Sequence, residues 1–178
     1  GLYAVLAALD IIPFDLIHKL RRLGGLPGHP DIETPGMFTN TGSLGMGVSK
    51  AKGFLAADDL NGIKDGKLYV MTGDGELQEG QFWEAAMAAD FHSVGRLNLI
   101  VDRNRIQNDD FVKVQMEVGD VAKKLSSFGW DVKEIDGHSM EEVVSAIEWS
   151  SNNISSPTAI IAHTTKGKGV SFMENNPS

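Results

Sequence analysis

Residues 68–76 have the sequence Leu-Tyr-Val-Met-Thr-Gly-Asp-Gly-Glu, an apolar run that ends in a polar, glycine-containing turn. The run is typical of a buried strand, and the following segment, from about Leu77 to Phe91, has the pattern of an amphipathic helix. A second apolar run, Leu97 to Val101, predicts another strand. Strand, turn, helix and strand form a βαβ unit, whose parallel strands end at the same edge of a sheet. Asp74 and Asn104 follow these strands and are therefore predicted to be neighbours.

The polar residues at the two strand ends are suited to a divalent metal ion that holds a diphosphate. Mg²⁺ prefers oxygen ligands and usually takes one or two carboxylates together with phosphate oxygens and water. Asp74 supplies a carboxylate, Asn104 an amide oxygen, and an irregular turn can add the backbone carbonyl of Ile106. Gly73 and Gly75 let the backbone approach a phosphate, and the amides that open the next helix then face the anion. Gly-Asp-Gly alone is an ordinary turn in most proteins, so this interpretation depends on the flanking elements.

The turn and its surroundings resemble the thiamine diphosphate and metal motif of transketolases. The match is carried by Gly73-Asp74-Gly75-Glu76-Leu77-Gln78-Glu79-Gly80 and Val101-Asp102-Arg103-Asn104-Arg105-Ile106-Gln107. Upstream it extends to Leu26-Pro27-Gly28-His29-Pro30 and Asn40-Thr41-Gly42-Ser43-Leu44-Gly45-Met46-Gly47, and downstream to Phe128-Gly129-Trp130, Ile135-Asp136-Gly137-His138 and Thr164-Thr165-Lys166-Gly167-Lys168-Gly169. The resemblance implies that the cofactor is thiamine diphosphate and that Asp74, Asn104 and Ile106 bind Mg²⁺, with Ca²⁺ or Mn²⁺ as alternatives. It also implies that Gly73, Asp74, Gly75 and Glu76 bind the cofactor.

Two upstream segments are implied to reach other parts of the cofactor. His29 lies in a loop rich in Gly and Pro, where a histidine is more often a solvated surface residue. By resemblance it is instead catalytic, facing the reacting end of the cofactor and hydrogen-bonding the sugar donor. The backbone of Gly42, Ser43 and Leu44 is implied to contact the aminopyrimidine ring, although many members carry proline where Ser43 stands. Helix–helix packing is the competing interpretation of this glycine-rich turn.

Three further positions have open interpretations. In transketolases the glutamates matching Glu79 and Glu84 lie at a dimer interface and join a carboxylate network between active sites. The alternative is that both glutamates lie on a solvated helix face, and the sequence favours neither interpretation over the other. Asn108 is polar where many transketolases place an apolar side chain against the thiazolium ring. Either Asn108 contacts the ring edge or this loop is built differently, which leaves the substrate range open.

The composition indicates one α/β domain over residues 1–178, and the resemblance makes it the domain that binds diphosphate and metal. The net charge of −8 argues against a nucleic-acid or anionic-membrane partner. The absence of cysteine agrees with a cytoplasmic location, and no apolar run approaches a membrane span. Because the chain opens without a start methionine or an N-cap, we expect a fragment that lacks its N-terminal start and also its C-terminal end.

The periodicity predicts a doubly wound α/β fold with a mainly parallel sheet and helices on both faces. Strands are expected near 68–72, 97–101, 131–135 and 158–162. Helices are expected from the stripe Leu2 to Ile12, at Phe14 to Leu23, at about Leu44 to Asn61, and after Ser139, which caps a helix with Glu142 three residues on. In that last helix Met140, Val143, Val144 and Ile147 are predicted to face the core.

The resemblance implies the diphosphate-binding half of a transketolase. Such an enzyme transfers a two-carbon ketol unit from a ketose phosphate to an aldose phosphate, as in the pentose phosphate pathway. The pyrimidine-binding domain has no counterpart here, so activity is expected to need a C-terminal subunit, in a homodimer or heterotetramer. The alternatives are a deoxyxylulose phosphate synthase-like enzyme, a transketolase for an unusual sugar, and a non-catalytic cofactor-binding module. Glu76 argues against the synthase, in which a small side chain is expected after Gly-Asp-Gly.

Overall fold

The computed structural model describes residues 1–91 and 95–177 and contains a four-stranded parallel sheet. The strands are β1 (Leu68–Gly73), β2 (Leu97–Arg103), β3 (Asp131–Asp136) and β4 (Thr158–His163), in the spatial order β1-β2-β4-β3. The helices are α1 (Leu2–Ala8), α2 (Gly47–Leu60), α3 (Gly80–Phe91), α4 (Val112–Gln115), α5 (Val121–Ser127) and α6 (Met140–Asn152), with 3₁₀ helices at Phe14–Lys19 and Gly75–Gln78. No helix in the described ranges is long and apolar enough to cross a membrane.

The strand register aligns the carboxyl ends of the central strands. Gly73 at the end of β1 pairs with Asp102 of β2, and Arg103 pairs with His163 at the end of β4. Every pairing in the sheet is parallel, as expected when helices connect the strands. The polar residues that follow β1 and β2 therefore meet at one edge.

Apolar side chains cover both faces of the sheet, which confirms the doubly wound α/β fold. On one face Leu97, Leu99 and Val101 of β2 pack in a core with side chains of α2, α3 and α5, including the fully buried Phe82. The other face carries a smaller core in which Ala146 of α6 joins the following strand residues: Ile135, Ile160 and Ala162. Each large apolar side chain buried in this way contributes about 1.5–3 kcal/mol to folding, so the larger core holds β2 firmly in the centre of the sheet.

The chain divides into two compact units, Gly1–Leu44 and Gly45–Ser178. The first has its own small core of Leu6, Ala7, Ile12 and Leu26, and the Tyr3 hydroxyl donates a 2.7 Å hydrogen bond to the Pro27 carbonyl. The second contains the whole sheet. That residues 1–178 form a single domain stays a prediction.

Several helix boundaries differ from the predicted ones because the backbone leaves the helical region earlier. The first helix ends at Ala8, shortly before the left-handed Asp10 (φ 56°), and the segment from Phe14 is a 3₁₀ helix that ends at Lys19. The helix expected from Leu44 begins at Gly47, since Gly45 has a φ of 81°. The helix expected from Leu77 is divided by the extended Glu79.

The start of α6 is confirmed, but its predicted core face is partly wrong. The Ser139 hydroxyl accepts a 3.3 Å hydrogen bond from the Glu142 amide, as an N-cap should. Val143 packs on the core, whereas the other three predicted core residues are exposed: Met140 (71%), Val144 (51%) and Ile147 (39%). The fully buried residues of α6 are Ala146 and Ser150, whose small side chains let the helix lie close to the sheet.

Candidate cofactor site at the carboxyl edge of the sheet

Asp74 is the most buried charged residue at this edge, with a side chain that is 0% exposed. It directly follows β1, in the turn that starts the 3₁₀ helix Gly75–Gln78. One carboxylate oxygen accepts a hydrogen bond from the Arg105 amide, and the other accepts from the Arg103 guanidinium. The first bond joins the end of β1 to the turn after β2, so the predicted proximity of Asp74 to the segment that starts at Asn104 is confirmed.

The turn after β2 is irregular, as the sequence predicts. The Asn104 side chain folds back onto the turn, where its Oδ1 accepts a 3.0 Å hydrogen bond from the Ile106 backbone amide. Arg105 adopts a φ of 65°, which L-residues other than Asn and Asp rarely do. The bridge between Ile106 and Phe111 uses the carbonyls of Arg105 and Asp110 as acceptors, so the Ile106 carbonyl takes part in neither of its bonds.

The glycine turn has space for a ligand on one side and a close neighbour on the other. A Cβ built on Gly73 would meet no atom within 4 Å, whereas one on Gly75 would lie 3.2 Å from Oε1 of Gln107. The buried Thr72 hydroxyl, one residue before this turn, has no hydrogen-bond partner among the described residues. Buried polar atoms are nearly always paired, so this hydroxyl has hydrogen-bonding capacity left for a group bound at the turn.

Glu76 ties the glycine turn to the start of α2. Its Oε1 accepts a 3.0 Å hydrogen bond from the Gly45 amide. Desolvation raises the pKa of this half-buried carboxyl, and the nearby Glu79 carboxylate adds to the rise, although the amides of Gly45 and Gly73 oppose it. Glu76 is therefore a connecting residue between two glycine-rich segments.

Three other predicted residues lie at the surface of the second unit. Glu79 and Glu84 are both exposed in this chain, so their role at an interface stays a prediction. Asn108 is exposed in a turn closed by a 3.1 Å hydrogen bond from the Gln107 amide to the Asp110 carbonyl. Its contact with a cofactor ring also stays a prediction.

The predicted residues of the first unit are His29, Gly42, Ser43 and Leu44, and all four are exposed. The structure brings two of them together, because a Cβ on Gly42 would lie 3.0–3.3 Å from atoms of the His29 side chain. Gly42 has a φ of 105°, a conformation in which any side chain is strained. A glycine at this position thus permits the histidine to lie against the turn.

Arg103 is the residue at this edge that the sequence prediction missed. It ends β2 with only 7% exposure and pairs with both Asp74 and Glu117. The period of two along a strand puts Arg103 on the same face as Leu99 and Val101, and this spacing was the available signal.

Oxygen atoms of mixed type are available at this edge. Among residues 1–91 and 95–177, no group of three or more His, Asp and Glu side chains is placed to hold a metal ion. The potential ligands are one carboxylate (Asp74), one side-chain amide (Asn104) and one backbone carbonyl (Ile106). Such a set suits a hard cation that also takes oxygens from a phosphate.

Comparisons with known proteins agree along the whole chain. Residues 2–178 match the family described as transketolase, thiamine diphosphate binding domain. The chain is 40% identical over 175 residues to one of the subunits of the apulose-4-phosphate transketolase of Phocaeicola vulgatus, a match that covers 98% of this chain and 62% of that protein. It is 39% identical over 176 residues to the 6-deoxy-6-sulfo-D-fructose transketolase subunit SqwG of a Clostridium species, covering 98% of this chain and 64% of that one.

The fold also has a solved counterpart. The crystal structure of the transketolase from Campylobacter jejuni matches with a TM-score of 0.84 and 35% sequence identity, over 92% of this chain and 27% of that one. The chain spans 62–64% of the length of the two curated subunits.

Proposed function

Because the chain belongs to the transketolase thiamine diphosphate-binding domain family, we propose that it anchors the diphosphate of thiamine diphosphate through a divalent metal ion at the carboxyl edge of the sheet. The observation that carries the proposal is the buried carboxylate of Asp74 and its hydrogen bond from the Arg105 amide. This bond puts the end of β1 against the turn that bears Asn104 and Ile106. A carboxylate, an amide oxygen and a carbonyl oxygen are thereby available at one strand edge.

The residues present fit Mg²⁺, with Ca²⁺ or Mn²⁺ as substitutes. Asp74, Asn104 and Ile106 would hold the ion, and the diphosphate and water would supply its remaining oxygens. The open space at Gly73 and the amide of Gly75 suit the diphosphate itself.

The other predicted residues also have proposed roles. Glu76 steadies the start of α2 through its bond to Gly45. The backbone of Gly42, Ser43 and Leu44 would contact an aminopyrimidine ring, and Asn108 would contact the edge of a thiazolium ring. His29 orients the sugar donor through a hydrogen bond. The cofactor, when bound, supplies the electron-accepting ring for two-carbon transfer.

The enzyme we propose is a transketolase-type transferase that acts as part of a larger assembly. Two of its relatives are named as subunits, which supports a separate partner that supplies the pyrimidine-binding domain. The assembly is a homodimer or heterotetramer in which Glu79 and Glu84 lie at an interface, and it works in the cytoplasm. Its substrates are a ketose phosphate donor and an aldose phosphate acceptor.

A specialised sugar is the second candidate. The polar segment Asn108-Asp109-Asp110 stands where transketolases of the pentose phosphate pathway often have an apolar contact. The two subunits that are about 40% identical carry the names of an apulose phosphate and a sulfofructose. Turnover of such a sugar in preference to pentose phosphates would favour this candidate.

Calorimetric titration tests the proposed site. Thiamine diphosphate is titrated into the chain with Mg²⁺ and then with chelator, both alone and with the co-purifying partner. We expect metal-dependent binding that Asp74→Asn abolishes, since the substitution removes the only carboxylate among the proposed ligands. Asp109→Asn, at an exposed aspartate in the neighbouring turn, is the matched control. Equal binding by the wild type and Asp74→Asn would refute the metal site.

A further inference from the structure

Arg103 is a charged residue in the apolar face of a central strand. Leu97, Leu99 and Val101 precede it on this face of β2 and are all fully buried. Arg103 itself is 7% exposed. Arginine is almost never buried to this extent unless it is paired, because an unpaired charge in the interior is strongly unfavourable. Its partners therefore determine its role.

The guanidinium joins two carboxylates of very different exposure. Nη1 donates to Oδ1 of Asp74, whose side chain is 0% exposed, and Nη2 donates to Oε1 of Glu117 at 2.9 Å, whose side chain is 45% exposed. Glu117 is also held by the Gly119 amide at 3.1 Å. An arginine guanidinium stays charged in proteins, so both of these carboxylate contacts are ion pairs.

The carboxylate of Asp74 is thus neutralised within the protein. Both of its oxygens accept protein hydrogen bonds, one from a full positive charge. A divalent ion bound to the same carboxylate would lie close to the guanidinium, and two cations in a buried site repel each other strongly. A metal ion at this site would therefore compete with Arg103 for Asp74.

We propose that Arg103 is a built-in counter-cation of Asp74, which a divalent metal ion displaces towards Glu117 when it binds. This inference rests on the metal site proposed above. Glu117 already holds the second arm of the guanidinium and lies nearer to solvent, so Arg103 remains paired when it releases Asp74. Arg103 thereby weakens binding of the metal alone. The negative charge of a diphosphate offsets the repulsion, so metal and diphosphate bind more tightly together than separately.

The test is the affinity of the chain for Mn²⁺, measured from the electron paramagnetic resonance signal of the free ion, and for Mg²⁺ by calorimetry. The affinity of Arg103→Met for Mn²⁺ should be at least about tenfold higher than that of the wild type. Residues that hydrogen-bond to metal ligands typically change metal affinity by about 10–100-fold. Its melting temperature should fall in chelator and recover with Mn²⁺, because the metal replaces the lost charge. Arg96→Met is the matched control, since Arg96 is a partly buried arginine paired with Asp59 just before the same strand.

A second variant keeps the test decisive if Arg103→Met does not fold. Glu117→Gln changes an accessible side chain. It removes the negative charge towards which the Arg103 guanidinium is proposed to move. We expect it to bind Mn²⁺ several-fold more weakly, because the guanidinium then relies on Asp74 alone. Unchanged affinity in Glu117→Gln overturns the proposal, as does unchanged or weaker affinity in Arg103→Met.

Two other outcomes separate this inference from the proposed function. If Asp74→Asn binds Mn²⁺ as tightly as the wild type, the metal site is absent and both proposals fall. If binding depends on Asp74 but Arg103→Met loses affinity for thiamine diphosphate at saturating Mn²⁺, Arg103 contacts the diphosphate. In that case only the counter-cation role is overturned.

Discussion

Arg105 adopts a left-handed backbone conformation in the turn that faces Asp74. This conformation costs a residue with a Cβ about 1–2 kcal/mol. Two hydrogen bonds hold it: the amide donates to Asp74, and the carbonyl accepts from the Val112 amide at 2.9 Å. Strain of this kind persists only where the surroundings impose it, and it is concentrated at functional sites. The position of Asp74 therefore depends on a backbone conformation that the Arg105 side chain does not favour.

Substitutions at Arg105 should separate backbone strain from side-chain chemistry. Arg105→Gly should keep the free energy of unfolding within about 0.5 kcal/mol of the wild type, because relief of strain offsets the greater freedom of the unfolded chain. Arg105→Val should lose about 1–2 kcal/mol, since a β-branched residue tolerates this conformation poorly. Urea denaturation measures both, with Arg22→Val as the control at an exposed arginine outside the left-handed region. Equal losses in the Gly and Val variants at position 105 would show that the strain is absent.

At the scale of elements, the short loop between α6 and β4 is hydrogen-bonded to the start of β3. Asp131, the first residue of β3, accepts hydrogen bonds from the side-chain amide of Asn153 at 2.5 Å and from the Ser156 hydroxyl at 2.6 Å. Both donors lie between α6 and β4. The hydrogen bond from the Ser156 hydroxyl lowers the pKa of Asp131 most, followed by the one from the Asn153 side chain, because both stabilise the ionised carboxylate. The charge of one exposed aspartate thus helps to fasten the loop to the sheet.

This link predicts a pH-dependent contribution to stability. Because the pKa of Asp131 is lower in the folded chain than in the unfolded one, its contribution is present above the unfolded pKa and is lost as the pH falls through the folded one. Asp131→Asn should cost about 0.5–1 kcal/mol at pH 7, a small value because the group is exposed. The difference should vanish in strong acid. Urea denaturation across this pH range measures it, with Glu148→Gln on the exposed side of α6 as the control, and a difference that persists in acid would contradict the assignment.

At the scale of the whole molecule, each compact unit carries residues with proposed roles of its own. His29 belongs to Gly1–Leu44, whereas Asp74 belongs to Gly45–Ser178. The proposed roles differ accordingly: Asp74 anchors the cofactor, and His29 acts on the sugar. Because the chain spans 62–64% of the two curated subunits, two-carbon transfer is proposed for the assembly with a partner and not for the chain alone.

His29 should therefore affect turnover without affecting cofactor binding. In the assembly with its partner, His29→Ala should lower ketol transfer about 100-fold, the lower end of the effect of a positioned catalytic side chain. Calorimetric binding of thiamine diphosphate should be unchanged. His18→Ala, at a histidine of the same unit whose ring meets Phe14 edge to face, is the control. Full turnover by His29→Ala would show that His29 is a surface residue with no part in ketol transfer.

Local patterns along the chain were enough to predict the sheet and the proximity of the polar turns that follow β1 and β2. Apolar runs and right-handed crossover connections predict parallel strands that end at one edge, so the proximity of Asp74 to the turn after β2 followed without a structure. The Ser139 cap was equally predictable, because its partner Glu142 is three residues away.

Features that depend on contacts between distant residues needed the folded chain. The pairing of Arg103 with Asp74 and Glu117 joins residues 29 and 14 positions apart, and no local pattern encodes it. The break at Glu79 and the buried face of α6, centred on Ala146, likewise depend on how closely each helix packs on the sheet. Periodicity predicts which face of a helix or strand is apolar. Close packing and charge pairing determine which residues of that face are buried and which residues they contact.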